Sequence, residues 1–203
     1  MLSAKVTIKG TRPLFMHAFG PDSIPLDKRQ ERTGVAGNDP EEWRKTVLCT
    51  KQGQLYVRGD YIFGALRDGA KHTKSGRYSI QKNVQATLQV ADDRIMVDRF
   101  MPGANGTYDP AKATAPSCDP DEPVYMDVRS CVNPATRSRN VRYRVAASPG
   151  WVATFSIEWD STIVNRNQME AVVTDAGKLC GIGDARNIGM GRFIVESFDV
   201  QEL

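Results

Sequence analysis

At 203 residues and 22.5 kDa, the chain is long enough for one sizeable core, or a core with a large insertion. Its 11 prolines and 17 glycines argue against a helical bundle, and the absence of any run of eighteen apolar residues excludes a transmembrane helix. Net charge is only +3, but the five arginines 129, 137, 139, 142 and 144 have no acid among them, whereas SCDPDEP at 117–123 is acidic. A local positive field on a nearly neutral protein points to a phosphate-bearing partner.

The opening MLSAKVTIKG lacks the apolar core of a secretory signal, so a cytoplasmic location and no membrane partner are expected. Cys49, Cys118, Cys131 and Cys180 form no C-x-x-C pair, and there are two histidines, so free thiols and no metal or cofactor are expected.

Residues 4–10, AKVTIKG, alternate, with Val6 and Ile8 on one side and Lys5, Thr7 and Lys9 on the other; this predicts a half-buried strand. A polar loop is expected over about 20–50. In YVRGDYIFGALRDGAKHT, Asp60 is placed to cap a helix whose buried stripe is Ile62, Ala65, Leu66, Gly69 and Ala70. Arg67 and Lys71 sit four apart on its other side, and the small residues let it lie close to a sheet.

The region of about 75–135 reads as an insertion. VQATLQV and RIMVDRF are short strands within it, and the proline- and glycine-rich stretch from Met101 to Pro123 is a loop. VYMDVRSCV is a further strand. VRYRV at 141–145 alternates, predicting Val141, Tyr143 and Val145 inward and Arg142 and Arg144 on the solvent side. After the turn SPG, WVATFSIEW places Trp151, Ala153, Phe155, Ile157 and Trp159 on one face, which predicts a hairpin. Parity puts Tyr143, Trp151, Phe155 and Trp159 in the core, so base stacking on an open sheet face is not expected.

Asn167 and Glu170 suggest a capping-box variant at the start of a helix with Met169, Val172, Val173, Ala176 and Cys180 inward. RFIVESFDV is the last strand. Without insertions the order is strand, helix, strand, strand, helix, strand. That predicts an α+β, ferredoxin-like (RRM-like) β-α-β-β-α-β fold: one domain over 1–203, an antiparallel sheet and both helices on one face.

GIGDARNIGMGRF at 181–193 follows a helix and precedes a strand, the reverse of a dinucleotide loop, and there is no P-loop pattern. Its glycines permit positive φ and close backbone approach. Two readings fit: an anion cradle of backbone N–H groups with Arg186 and Arg192 on a phosphodiester, or a packing device with both arginines in solvent.

GIGDARNIGMGRFIV resembles the C-terminal glycine-rich motif of the repeat-associated (RAMP) superfamily. YVRGDYIFGALRDGAK is similar to its strand-into-first-helix segment, and AKVTIKGTRPLFMHA to its opening strand. The likeness is to the backbone subunits of CRISPR effector complexes, which wrap guide RNA. It implies an RRM-like core that binds RNA backbone and assembles with copies of itself or related subunits. Gly181, Gly183, Gly189 and Gly191 match the glycine loop, Arg186 and Arg192 its basic members, and Arg67 with the turn Arg58–Asp60 the first-helix motif. Asp184 stands where glycine is common and Asp60 where serine is common.

The expected function is therefore a structural subunit of a ribonucleoprotein that holds the phosphate backbone of guide or single-stranded RNA. Arg67, Arg137, Arg139, Arg142, Arg144, Arg186 and Arg192 would form one basic surface with the glycine loop. One alternative is an endoribonuclease of the same fold using His17, Asp22 or Asp27. The other is an assembly protein that binds no nucleic acid.

Overall fold

A computed structural model describes residues 1–20, 39–132, 137 and 139–203. Asp22 and Asp27 lie outside the described residues, as does much of the expected polar loop. In chain order the elements begin with β1 (Leu2–Gly10), β2 (Leu14–Met16), α1 (Glu42–Thr46), β3 (Gln54–Arg58) and α2 (Gly59–Gly69). Next come β4 (Lys74–Ser75), β5 (Tyr78–Ser79), α3 (Gln81–Thr87), β6 (Gln89–Val90), β7 (Arg94–Phe100) and β8 (Val124–Val132). The chain ends with β9 (Arg139–Ala147), β10 (Val152–Trp159), α4 (Arg166–Asp175) and β11 (Phe193–Glu202). The described residues pack as two compact units, and the stretch expected as an insertion divides between them at residues 98 and 99.

The first unit comprises Met1–Leu14, Tyr56–Asp98 and Pro149–Leu203. Its sheet runs β11-β1-β10-β7-β3, with β6 also paired to β10. β1 lies antiparallel to both neighbours, with Val6 opposite Phe155 on β10 and Phe198 on β11. The alternation read in the sequence is what the sheet uses: Ala4, Val6 and Ile8 are fully buried, as are Phe155 and Ile157. α2 and α4 cover that side, burying Ile62, Ala65, Leu66 and Gly69 from one helix and Met169, Val172 and Val173 from the other. This is a mixed α+β arrangement around an antiparallel sheet, with the strand order of a ferredoxin-like core bearing insertions.

Local signals differ from the sequence reading in several places. VQATLQV, expected as a strand, is helical through Thr87 as the end of α3, and only Gln89–Val90 pairs as β6. α4 is capped by Asn165, whose side chain accepts from the Gln168 N–H at 2.9 Å while Gln168 accepts from the Asn165 N–H at 3.0 Å; Asn167 lies inside the helix. α2 follows directly on β3, so Asp60 occupies its first turn and pairs with Arg58. The small residues of α2 serve helix–helix contact as well: a Cβ on Gly69 would lie 2.7 Å from the Ala176 backbone nitrogen.

The second unit comprises Phe15–Leu55 and Arg99–Ser148. It has its own three-stranded sheet, β2-β9-β8, and its own buried set, including Phe15, Trp43, Met126, Val145 and Ala146. β9 runs antiparallel to β8 from Val124 opposite Ala147 to Val132 opposite Arg139. The expected hairpin of β9 with β10 does not form. At Pro149–Gly150 the Gly150 N–H donates to the Gly10 carbonyl and the Gly10 N–H to the Trp151 carbonyl, both at 2.7 Å, which hands the chain to β1. Trp151 then stacks where a Gly10 side chain would stand, and its Nε1–H donates to the Arg12 carbonyl at 2.9 Å.

Candidate nucleic-acid interface

The glycine segment leaves α4 through a π-helical turn, Ala176–Cys180, and rejoins the sheet at Phe193. Its two ends meet. Ile182 donates to the Gly191 carbonyl at 3.0 Å, and Gly191 donates to the Pro13 carbonyl at 2.8 Å. A Cβ on Gly191 would sit 1.8 Å from the Ile182 carbonyl oxygen, and one on Gly181 would sit 2.6 Å from that of Met190. These two glycines form a neck, the packing device of the second reading. Gly183 and Gly189 are in the left-handed region, at φ +77° and +84°, and Gly189 faces open space. Between them Ala185 has φ 56°, an uncommon conformation for a residue with a Cβ.

The loop so pinched forms one wall of a cleft of about 540 Å³, opposite the C-terminal end of α2. Asp68, Lys71, His72 and Cys180 line one side, and residues 183–187 the other. Asp68 organises it. Its Oδ1 accepts from Arg67 Nη2 and Lys71 Nζ, each at 3.1 Å, and its Oδ2 accepts from Arg186 Nη1 at 3.5 Å. Burial pushes the Asp68 pKa up, but the hydrogen bonds from Lys71 and Arg67 outweigh it and hold the carboxyl below its ordinary value. The Cys180 thiol is pushed up by burial and by Asp68, against the pull of Arg192, Arg186 and Lys71, so it remains protonated near neutrality.

Arg192 anchors the loop exit, its carbonyl accepting from the Thr11 and Arg12 N–H groups at 2.8 and 3.3 Å. One of its guanidinium nitrogens, Nη1, is buried with no hydrogen-bond acceptor among the described residues. The structure thus brings Gly183 and Arg186 to one cleft, with Arg67 outside its lining on the Asp68 carboxylate and Gly181, Gly189, Gly191 and Arg192 shaping its loop.

The other four candidate arginines belong to the second unit. Arg144 corrects the sequence reading. It is 3% exposed, because β9 is the middle strand of its sheet, and it lies 3.8 Å from the equally buried Asp127. Its guanidinium and that of Arg129 stack on Phe15 at 5.2 and 5.0 Å, and its Nη2 donates to Cys131 Sγ at 3.3 Å. Arg142 pairs with Glu42 of α1, which also accepts from the Tyr143 N–H at 3.2 Å and lies 3.0 Å from His17 Nε2. His17 is therefore held in a buried clamp, and Tyr143 is half-buried where parity predicted core. Burial raises the Glu42 pKa, but the bonds from His17, Tyr143 and Arg142 bring it below the ordinary value. Arg137 and Arg139 are exposed, with no ion-pair partner among the described residues.

Sequence reading overlooked two Arg–Tyr pairs in the first unit. Arg94 of β7 lies over the Tyr56 ring at 5.4 Å, and Arg58 over Tyr61 at 5.9 Å. Period-two alternation in QLYVR, where Leu55 and Val57 are buried and Tyr56 and Arg58 face away, is the signal that marks them.

Among the described residues, no group of three or more His, Cys, Asp or Glu side chains is placed to hold a metal ion, and no helix is long and apolar enough to cross a membrane. No family model matches the chain, and no curated protein matches it in sequence. Among solved structures, a chain of the Type III-B Cmr-beta complex bound to cognate target RNA, seen by cryo-EM, is similar with a TM-score of 0.47 and 12% identity. That match covers 99% of this chain and 61% of the other, so this chain spans less than two thirds of its length. A chain of a Type IV-B CRISPR complex is similar with a TM-score of 0.43 and 12% identity, covering 97% of this chain and 90% of the other.

Proposed function

We propose that this protein is a non-catalytic RNA-binding subunit of a ribonucleoprotein, holding the phosphate backbone of guide or single-stranded RNA. The observation that carries the reading is the convergence of Arg67, Lys71 and Arg186 on the Asp68 carboxylate, in a cleft beside the glycine loop that Lys71 and Arg186 line. Arg186 reaches Asp68 only at 3.5 Å, a long contact that a phosphate oxygen on the open side replaces with a shorter charge-assisted one. The resemblance of 181–195 to the RAMP glycine motif supports the same assignment. Arg137 and Arg139, exposed on the second unit, offer further contacts to a long polyanion.

Fluorescence anisotropy with labelled single-stranded RNA over a salt series tests this. Each phosphate contact contributes a slope of about −0.7 in log affinity against log salt for single strands. Arg186→Ala and Lys71→Ala should each weaken binding about tenfold, near 1.4 kcal/mol, and flatten that slope. Binding that is absent at low salt, or unchanged in the double variant, rejects the reading. Light scattering with and without ribonuclease then shows whether copies assemble on the RNA.

A further inference from the structure

We infer that Asp184 accepts a hydrogen bond from a ribose 2′-hydroxyl, making the cleft selective for RNA over DNA; this rests on the phosphate-binding reading above. A carboxylate beside a polyanion site opposes binding unless the ligand brings it a proton donor. The cleft is lined by two carboxylates, Asp68 and Asp184. Asp68 is engaged by Arg67, Lys71 and Arg186, on both of its oxygens. Asp184 is on the opposite wall, half-buried, two positions before Arg186 on the same loop.

An ionised carboxylate has room for about four hydrogen bonds, so an existing contact leaves acceptor capacity. The sugar–phosphate backbone of RNA carries one kind of donor, the 2′-hydroxyl, which neighbours the phosphate; the backbone of DNA carries none. A ligand whose phosphate meets Arg186 therefore brings its adjacent hydroxyl, if it has one, toward the wall that carries Asp184. Ala185, in its left-handed conformation, separates the two side chains, and the Gly181–Gly191 neck fixes the loop that bears both.

The test uses the full chain and labelled oligouridine in three forms: RNA, the 2′-deoxy strand and the 2′-O-methyl strand, which keeps the oxygen but loses the donor. Wild type is expected to prefer RNA over both others roughly tenfold, the scale of one charge-assisted hydrogen bond. Asp184→Asn keeps a carbonyl acceptor and removes the charge, so it should bind all three strands more tightly and still prefer RNA. Asp184→Ala should bind the three alike. Preference that survives Asp184→Ala, or that is missing in a wild type binding all three strands, overturns the hydroxyl assignment alone. Failure of wild type to bind any strand overturns the phosphate reading and this one with it.

Discussion

Asp68 and Arg186 are 118 residues apart in sequence and meet at 3.5 Å, joining the end of α2 to the glycine loop. With Arg67 and Lys71 on the same carboxylate, this ties the loop to the C-terminal end of α2. Asp68→Ala should cost about 1 kcal/mol or less in urea denaturation, since solvent screens such pairs. It should also speed amide exchange across 183–188. Because the folded pKa of Asp68 is lowered, its stabilisation is present above the unfolded value and is lost as pH falls through the folded one. Wild type should therefore lose the difference from Asp68→Ala in acid, while the two differ at neutrality.

Gly64 and Gly69 share α2 but not a role. Nothing lies within 4 Å of a Cβ on Gly64, whereas one on Gly69 meets backbone of Ala176 and Val172. Gly64→Ala should stabilise the protein by up to about 1 kcal/mol, the helix-propensity difference. Gly69→Ala should destabilise it. Urea midpoints moving in the same direction would show that close helix packing does not set the choice.

The glycine loop divides likewise. Gly191→Ala faces both positive φ and the Ile182 carbonyl, while Gly189→Ala faces positive φ in open space. Gly189→Ala is expected to cost about 1–2 kcal/mol, the left-handed penalty, with RNA binding retained after refolding. Gly191→Ala should cost more and open the loop, with RNA affinity falling alongside. Equal thermal shifts in the two variants would show that the neck does not hold the loop.

Local pattern told much of this fold and little of its partnerships. Alternation at 4–10 and 151–159 fixed which side chains of β1 and β10 face the helices, because a half-buried strand repeats every two residues. It does not specify the neighbouring strand. Alternation in VRYRV predicts pairing with the segment after its turn, yet β9 joins β8 and β2, and a middle strand buries the arginine that parity assigns to solvent. The partners of Arg144, Asp127 and Phe15, lie well away along the chain, so nothing beside it announces its burial. The four glycines are legible as a group, but their division into neck and turn depends on partners distant in the chain, such as Pro13, whose carbonyl accepts from the Gly191 N–H.

Arg144 and Arg139 share β9 and should separate stability from binding. Arg144→Ala removes the buried guanidinium from the Phe15 ring and from Asp127, which keeps Arg129 at 2.6 Å, so the loss should be about 1–3 kcal/mol. Arg139→Ala, exposed, should change stability by less than about 0.5 kcal/mol and lower RNA affinity at low salt. Unchanged stability in Arg144→Ala would contradict its burial, and unchanged affinity in Arg139→Ala would remove it from the RNA contact.

Glu42 joins α1 to β9 through Arg142 and the Tyr143 N–H, and His17 to both. Burial alone would favour its neutral form; its three donors reverse that and lower its pKa in the folded protein. A lowered carboxyl pKa means the unfolded chain binds the proton first, so Glu42 stabilises the fold above the unfolded value near 4.5. That contribution disappears as pH falls through the folded value. Glu42→Gln keeps an oxygen acceptor but gives up the charge facing Arg142, so it should lower stability at pH 7 and flatten the acid limb of the stability curve. Urea denaturation from pH 7 down to about pH 3 measures both effects. A variant whose curve runs parallel to wild type throughout would show that the clamp works by shape alone, and would leave His17 free to be held by its contact with Phe19.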